Sequence, residues 1–156
     1  MSKISINKKV PAFNLPATGE KNIRLSAYKG KNIVLYFYPK DSTPGCTREG
    51  RDFRDNYRKF QARNTVVIGV SRDNLNSHEK FKTRENFLFD LIADTEETLC
   101  TMFAVMKWKN MYGKKVRGIE RSTFLIDAMG ILRNEWRKVS IDGRVDPGNH
   151  KQALIP

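Results

Sequence analysis

The chain predicts an α/β fold, a central sheet flanked by helices, on three observations: short β-branched and aromatic runs, amphipathic helical stretches between them, and two closing runs joined by a turn. Taken in order, Pro11–Pro16 and Ala17–Glu20 read as extended chain and turn, followed by a short strand around Asn22 to Leu25. This N-terminal β extension is expected along a sheet edge. Ile33–Tyr38 is a buried strand, bounded by Lys31-Asn32 and Pro39. Phe53, Tyr57 and Phe60 then recur at spacings of four and three among charged residues, the pattern of one helix with a single apolar face. Thr65–Ser71 is a second buried strand, and Ser77 is expected to cap a helix carrying Phe81 toward Asn86. Phe87–Ile92 reads as a strand, and Asp94-Thr95 precede a helix with Leu99, Met102, Phe103 and Val105 on its apolar side. Lys107 to Gly118 reads as a polar loop. Ser122–Ile126, the turn Asp127–Gly130 and Ile131 to Val139 form a predicted β-hairpin.

The 156 residues, 39% hydrophobic, suit one domain with a full core, residues 1–156. Residues 143–156 begin with Asp146-Pro147-Gly148, and about this stretch is expected to form a flexible tail. No apolar stretch reaches the length of a membrane helix and the N-terminus lacks a secretory core, so a cytoplasmic protein without membrane association is expected. Cys46 and Cys100 are too few for a disulfide framework, and with His78 and His150 they do not make a zinc site, so neither metal nor cofactor is expected. The 29 Lys+Arg against 17 Asp+Glu give a net charge of +12. The basic residues are spread along the chain without an RNA-binding signature, so a basic solvated surface is expected rather than a nucleic-acid site.

Cys46 lies in Pro39-Lys40-Asp41-Ser42-Thr43-Pro44-Gly45-Cys46-Thr47, between a strand and a helix. Thr43 suits the N-cap, its hydroxyl accepting an orphan backbone N–H, and Pro44 suits the next position, where its missing N–H costs nothing. The Cys46 sulfur then meets free N–H groups and the positive end of the helix dipole, which favour thiolate, and a depressed pKa is expected. Arg48 and Arg51 push the same way if they face the sulfur. A buried structural thiol would require no such approach to a helix start. Among small folds, a thioredoxin-like arrangement puts a reactive sulfur at such a junction, although the Cys-x-x-Cys pair is missing.

The segment Pro39 to Cys46 resembles the active-site pattern of peroxiredoxins. Tyr36–Lys40, Ile68–Ser71, Ser77-His78, Met111–Lys114 and Gly118–Asp127 resemble the peroxiredoxin Q, or bacterioferritin comigratory protein, branch, and the similarity runs from about Val10 to Val139. The resemblance implies a thioredoxin-like fold and a thiol peroxidase acting on hydrogen peroxide or organic hydroperoxides. It makes Cys46 the peroxidatic cysteine, Thr43 the residue orienting sulfur and peroxide, and Arg121 the cation stabilising thiolate and transition state. Pro39 would shield the sulfur and Gly45 would permit close approach of the backbone to the substrate. Taken alone, Arg121 reads as a solvated charge ahead of a strand.

The resemblance also marks a departure. Family members often carry a resolving cysteine where this chain has Arg51, or in the next helix where it has Lys82. Cys100 aligns with a helix cysteine of some relatives, and its neighbours Leu99 and Phe103 suggest burial. The expected mechanism is one-cysteine turnover in a monomer or weak dimer, with thioredoxin, glutaredoxin or glutathione as external reductant. A Cys46–Cys100 disulfide is the minor alternative. The other reading of function is a peroxide-responsive sensor or binding protein in which Cys46 is oxidised with little turnover.

Overall fold

The computed structural model describes residues 3–139. Its elements run β1 (Asn14–Ala17), β2 (Lys21–Arg24), β3 (Asn32–Phe37), α1 (Pro44–Asp55), α2 (Tyr57–Ala62), β4 (Thr65–Ser71), α3 (Leu75–Glu85) and β5 (Asp90–Ala93). They continue with α4 (Thr98–Met102), β6 (Met106–Met111), β7 (Lys114–Ile119), β8 (Ser122–Ile126) and β9 (Leu132–Trp136). Seven strands form one mixed sheet in the order β2-β1-β5-β4-β3-β8-β9. β3, β4 and β5 run parallel, connected by helices, whereas β8 and β1 join antiparallel at either side. The N-terminal hairpin of β1 and β2 lies at one edge, as the extended-turn-strand pattern requires.

Period-two alternation divides the core. On β3, Ile33, Leu35 and Phe37 face one cluster with Phe13, Leu99, Phe103 and Phe124. Val34, Tyr36 and Tyr38 face the opposite cluster with Phe53, Phe60, Phe81, Phe87 and Phe89. The second cluster is rich in aromatic rings. Tyr36 stacks on Phe53 at 4.4 Å and Phe87 stacks on Phe89 at 4.9 Å between centroids. Helices α1, α2 and α3 cover this face, and α4 with the N-terminal segment covers the other.

Four details differ from the sequence reading. The helix after Cys46 breaks at Asn56, whose N–H and side-chain amide both turn back to the Asp52 carbonyl, so Tyr57 and Phe60 belong to α2. Asn74 rather than Ser77 caps α3, its Oδ1 accepting from the Ser77 N–H. The helix beyond Asp94 is one short element, because Asp94 takes the N–H groups of Leu99 and Cys100 and the chain leaves the helix after Met102. Residues 107–118 belong to the two-stranded hairpin β6–β7, not a loop. Its turn residues Tyr112 and Gly113 adopt φ of 52° and 79°, the left-handed pair that closes a tight hairpin. The tail expected over 143–156 lies outside the described residues. Among the described residues no helix is long and apolar enough to cross a membrane.

Candidate active site

Cys46 occupies the first turn of α1, reached from β3 through a loop in which Ser42 takes φ of 64°. Thr43 stands at the N-cap in extended conformation and Pro44 opens the helix. The Thr43 hydroxyl does not cap, however. It donates to the Lys40 carbonyl at 2.8 Å, tightening the loop, and makes no bond to the first-turn N–H groups. Those donors remain directed toward the sulfur end of the helix. Pro39 is half-buried at the start of the loop, and Gly45 is half-buried next to Cys46.

Arg121, in the short link between β7 and β8, reaches this turn from beside the end of β3, where Ser122 pairs with Phe37. Its Nη2 donates to Cys46 Sγ at 3.4 Å, and its Nη1 donates to Glu49 Oε1 at 2.6 Å. The Cys46 residue is 2% exposed and the Arg121 side chain 14%. Burial alone would lower the guanidinium's pKa, but the charges of Glu49 and Cys46 raise it, so the cation is held in place. Glu49 is fully buried, and desolvation pushes its carboxyl up to about 7 even against Arg121. Its Oε2 has no hydrogen-bond partner among the described residues. Glu49 was not among the residues expected at the site. It lies three positions after Cys46 and four before Phe53, so a carboxylate on the buried stripe of α1 was the available signal.

The loop ahead of Cys46 is anchored from below. Asp41 accepts from the Tyr38 hydroxyl at 2.6 Å and from Ser77 Oγ at 2.7 Å, and its Oδ2 lies 2.6 Å from His78 Nδ1. His78 Nε2 donates to the Ile92 carbonyl at 2.9 Å, and the Asp41 N–H donates to Asp73 at 2.6 Å. Burial pushes the Asp41 carboxyl up, but His78 and the two hydroxyls outweigh it and leave it below its usual range. Neighbouring elements thus fix the loop through hydrogen-bonded, buried groups, where a lost partner would be costly.

The positions where relatives might carry a second sulfur are used otherwise. Arg51 Nε donates to Glu85 Oε1 at 2.6 Å and Arg54 Nη1 to the Glu85 carbonyl at 2.9 Å, joining α1 to α3; Arg51 is thus committed away from the sulfur. Lys82 donates to Asp90 at 2.8 Å. Cys100 lies in the core cluster on the opposite face of the sheet from Cys46. Burial, then Asp94, raises its pKa far above that of a free thiol.

A thioredoxin-like sheet that brings an arginine onto a cysteine at a helix start defines a class of thiol chemistry, and the comparisons agree. The profile of the AhpC/TSA family matches residues 6–135. Peroxiredoxin Bcp of Bacillus subtilis is 50% identical over 142 residues, covering 91% of this chain and 90% of that protein. A putative peroxiredoxin bcp of Coxiella burnetii is 44% identical over 142 residues, covering 91% and 94%. Among solved structures, a PrxQ mutant of Xylella fastidiosa superposes with a TM-score of 0.88 at 38% identity, covering 99% of this chain and 95% of that one. The bacterioferritin comigratory protein of Xanthomonas campestris, studied for alkyl peroxide reduction, gives 0.82 at 44% identity, covering 91% and 87%. The chain belongs to the AhpC/TSA family, in its peroxiredoxin Q/Bcp branch. Its activity is that of a thiol-dependent peroxidase, an oxidoreductase acting on peroxide substrates with thiol reductants.

Proposed function

We propose that Cys46 is the attacking sulfur, that Arg121 and Thr43 serve it, and that turnover uses one cysteine and an external thiol. The observation that carries this reading is the Arg121 guanidinium, 3.4 Å from Cys46 Sγ and held by Glu49. The Cys46 thiolate attacks one oxygen of the hydroperoxide; an S–O bond forms as the O–O bond breaks. The sulfur loses two electrons and the peroxide gains them. The departing oxygen leaves as water or an alcohol after taking a proton, and Cys46 is left as sulfenic acid. Arg121 holds negative charge on sulfur first and on the reacting oxygens as the bond breaks. Gly45 and the first-turn N–H groups leave room for the substrate beside the backbone, and Pro39 limits water.

An external thiol then condenses with the sulfenic acid, releasing water and forming a mixed disulfide. A second thiol displaces Cys46 and departs as the oxidised reductant. Thioredoxin, glutaredoxin and glutathione all have the required chemistry, and a cytoplasmic setting supplies them reduced. The active form in this reading is a monomer or weak dimer. The test is peroxide consumption with dithiothreitol. Cys46→Ser is expected to abolish it, and Arg121→Lys to slow Cys46 oxidation about 100-fold by losing a fixed, planar donor. Retention of activity in Cys46→Ser would falsify the reading.

A further inference from the structure

We propose that the β6–β7 hairpin is the docking surface for the reductant, and that the reductant is an acidic thiol-bearing protein. This rests on the one-cysteine reading above. Among the described residues the hairpin pairs only with itself and is not part of the seven-stranded sheet. Between residues 107 and 119 it carries Lys107, Lys109, Lys114, Lys115 and Arg117 and no acidic residue. It also exposes large apolar side chains: Trp108 is 69% exposed, Met111 50%, Tyr112 100% and Val116 43%. Cross-strand register puts Trp108 beside Arg117 and Val116 beside Lys109, so apolar and cationic groups alternate over both strands. Lys107, Lys109, Met111, Lys114 and Val116 share one face of the ribbon and Trp108, Lys115 and Arg117 the other, so each face joins exposed apolar groups to cations of a single sign, a make-up suited to binding a protein.

Its position ties it to the sulfur. β7 ends at Ile119, two residues before Arg121, whose guanidinium touches Cys46. Lys109 is half-buried and donates to the Ile119 carbonyl at 2.6 Å. Burial lowers the Lys109 pKa, as does the nearby Arg121 charge, against the opposing pull of Glu120 and Cys46. Arg117 and Arg72 both pair with Glu97, fixing that base to the body of the molecule.

The chemistry selects the partner. The other thiol, Cys100, lies across the sheet, so the electrons that restore Cys46 must arrive from outside. Each six-residue strand is roughly 20 Å long, more than a tripeptide thiol can cover, whereas the rim of a protein around its exposed cysteine can span it. Cationic side chains at this place favour a partner that is acidic there and speed its encounter. The partner's thiol condenses with the Cys46 sulfenic acid, releasing water. Its second thiol then attacks the mixed disulfide, leaving as an intramolecular disulfide and returning Cys46 as thiol.

The experiment compares two reductants at saturating hydrogen peroxide: an acidic thioredoxin kept reduced by its reductase, and dithiothreitol, which is uncharged and needs no docking surface. The variants are the triple Lys107→Glu, Lys114→Glu, Lys115→Glu and, separately, Trp108→Ser. The expected result is a loss of about tenfold or more in kcat/KM for thioredoxin in each variant. Added salt should weaken the wild-type rate and scarcely alter that of the triple variant, with dithiothreitol kinetics unchanged throughout. Unchanged thioredoxin kinetics, or an equal loss with dithiothreitol, would overturn the proposal. So would unchanged thioredoxin kinetics in variants that lose a self-association or a DNA retention shown by the wild type, since the hairpin would then serve a second copy or a nucleic acid. Wild-type turnover with dithiothreitol keeps the one-cysteine reading standing whatever becomes of the hairpin; its absence with both reductants would sink that reading and the proposal together.

Discussion

At the scale of single residues, Glu49 carries a burial cost that its partner does not offset. Its carboxyl titrates near 7 in the folded chain against an ordinary 4.5, because burial outweighs the pull of Arg121. Between those values the folded chain holds a proton that the unfolded chain has released, so folded stability declines as pH rises from about 4.5 to 7 and stays lower above. From pH 5 to pH 8 this site should remove roughly 2–3 kcal/mol. Glu49→Gln should flatten that slope, measured by urea unfolding at the two pH values, while slowing peroxide reduction because Arg121 loses an ionised anchor. A wild-type and variant slope that coincide would show that Glu49 titrates as an ordinary carboxylate. The positions of Thr43 and Cys46 at the helix start were legible from cap chemistry, whereas the closeness of Arg121 to the sulfur followed from resemblance alone. Glu49 was not singled out, because an acidic residue in a charged amphipathic helix ordinarily points to water and only tertiary packing shows otherwise. Thr43 was placed correctly and its bond misassigned, since an N-cap hydroxyl can also donate locally to its own loop.

At the scale of elements, the position of α1 depends on Gly50. A Cβ there would collide with Phe87 Cζ, in the aromatic cluster where Phe81 meets Phe87 edge-on and Phe87 stacks on Phe89. Alanine is the better helix former by about 1 kcal/mol, yet overpacking against a buried ring costs about 1–3 kcal/mol. Gly50→Ala should therefore be net destabilising in denaturant unfolding and should slow Cys46 oxidation, because α1 carries the sulfur. Adding Phe87→Leu should recover part of both losses; a double variant no better than the sum of the singles would assign the loss to something other than this contact. The strands of the main sheet were legible from β-branched runs and alternation. The β6–β7 hairpin was not, since its residues are mostly exposed and lack the buried stripe that usually marks a strand. The end of α1 escaped notice because the apolar spacing of Phe53, Tyr57 and Phe60 continues unbroken through the interruption at Asn56.

At the scale of the whole molecule, the sheet separates two thiols that the sequence shows only as a pair. Period-two patterning reveals two faces, but which helix covers which face is set by the crossover connections, and so the placement of Cys100 was open. One equivalent of peroxide without added thiol should give a mass increase of about 16 Da on Cys46, as sulfenic acid requires. No loss of two hydrogens should appear, and Cys100→Ala should behave like the wild type. Intact mass spectrometry with peptide mapping decides it, and a Cys46–Cys100 disulfide would require the sheet to open. In the one-cysteine reading proposed above, the same separation would give the oxidised protein a memory. With no internal thiol on its side of the sheet, a Cys46 sulfenic acid would persist for as long as visitors are scarce. Its lifetime, and its exposure to a second peroxide that would make the damage permanent, would then measure the reducing capacity of the surroundings rather than any property of the chain.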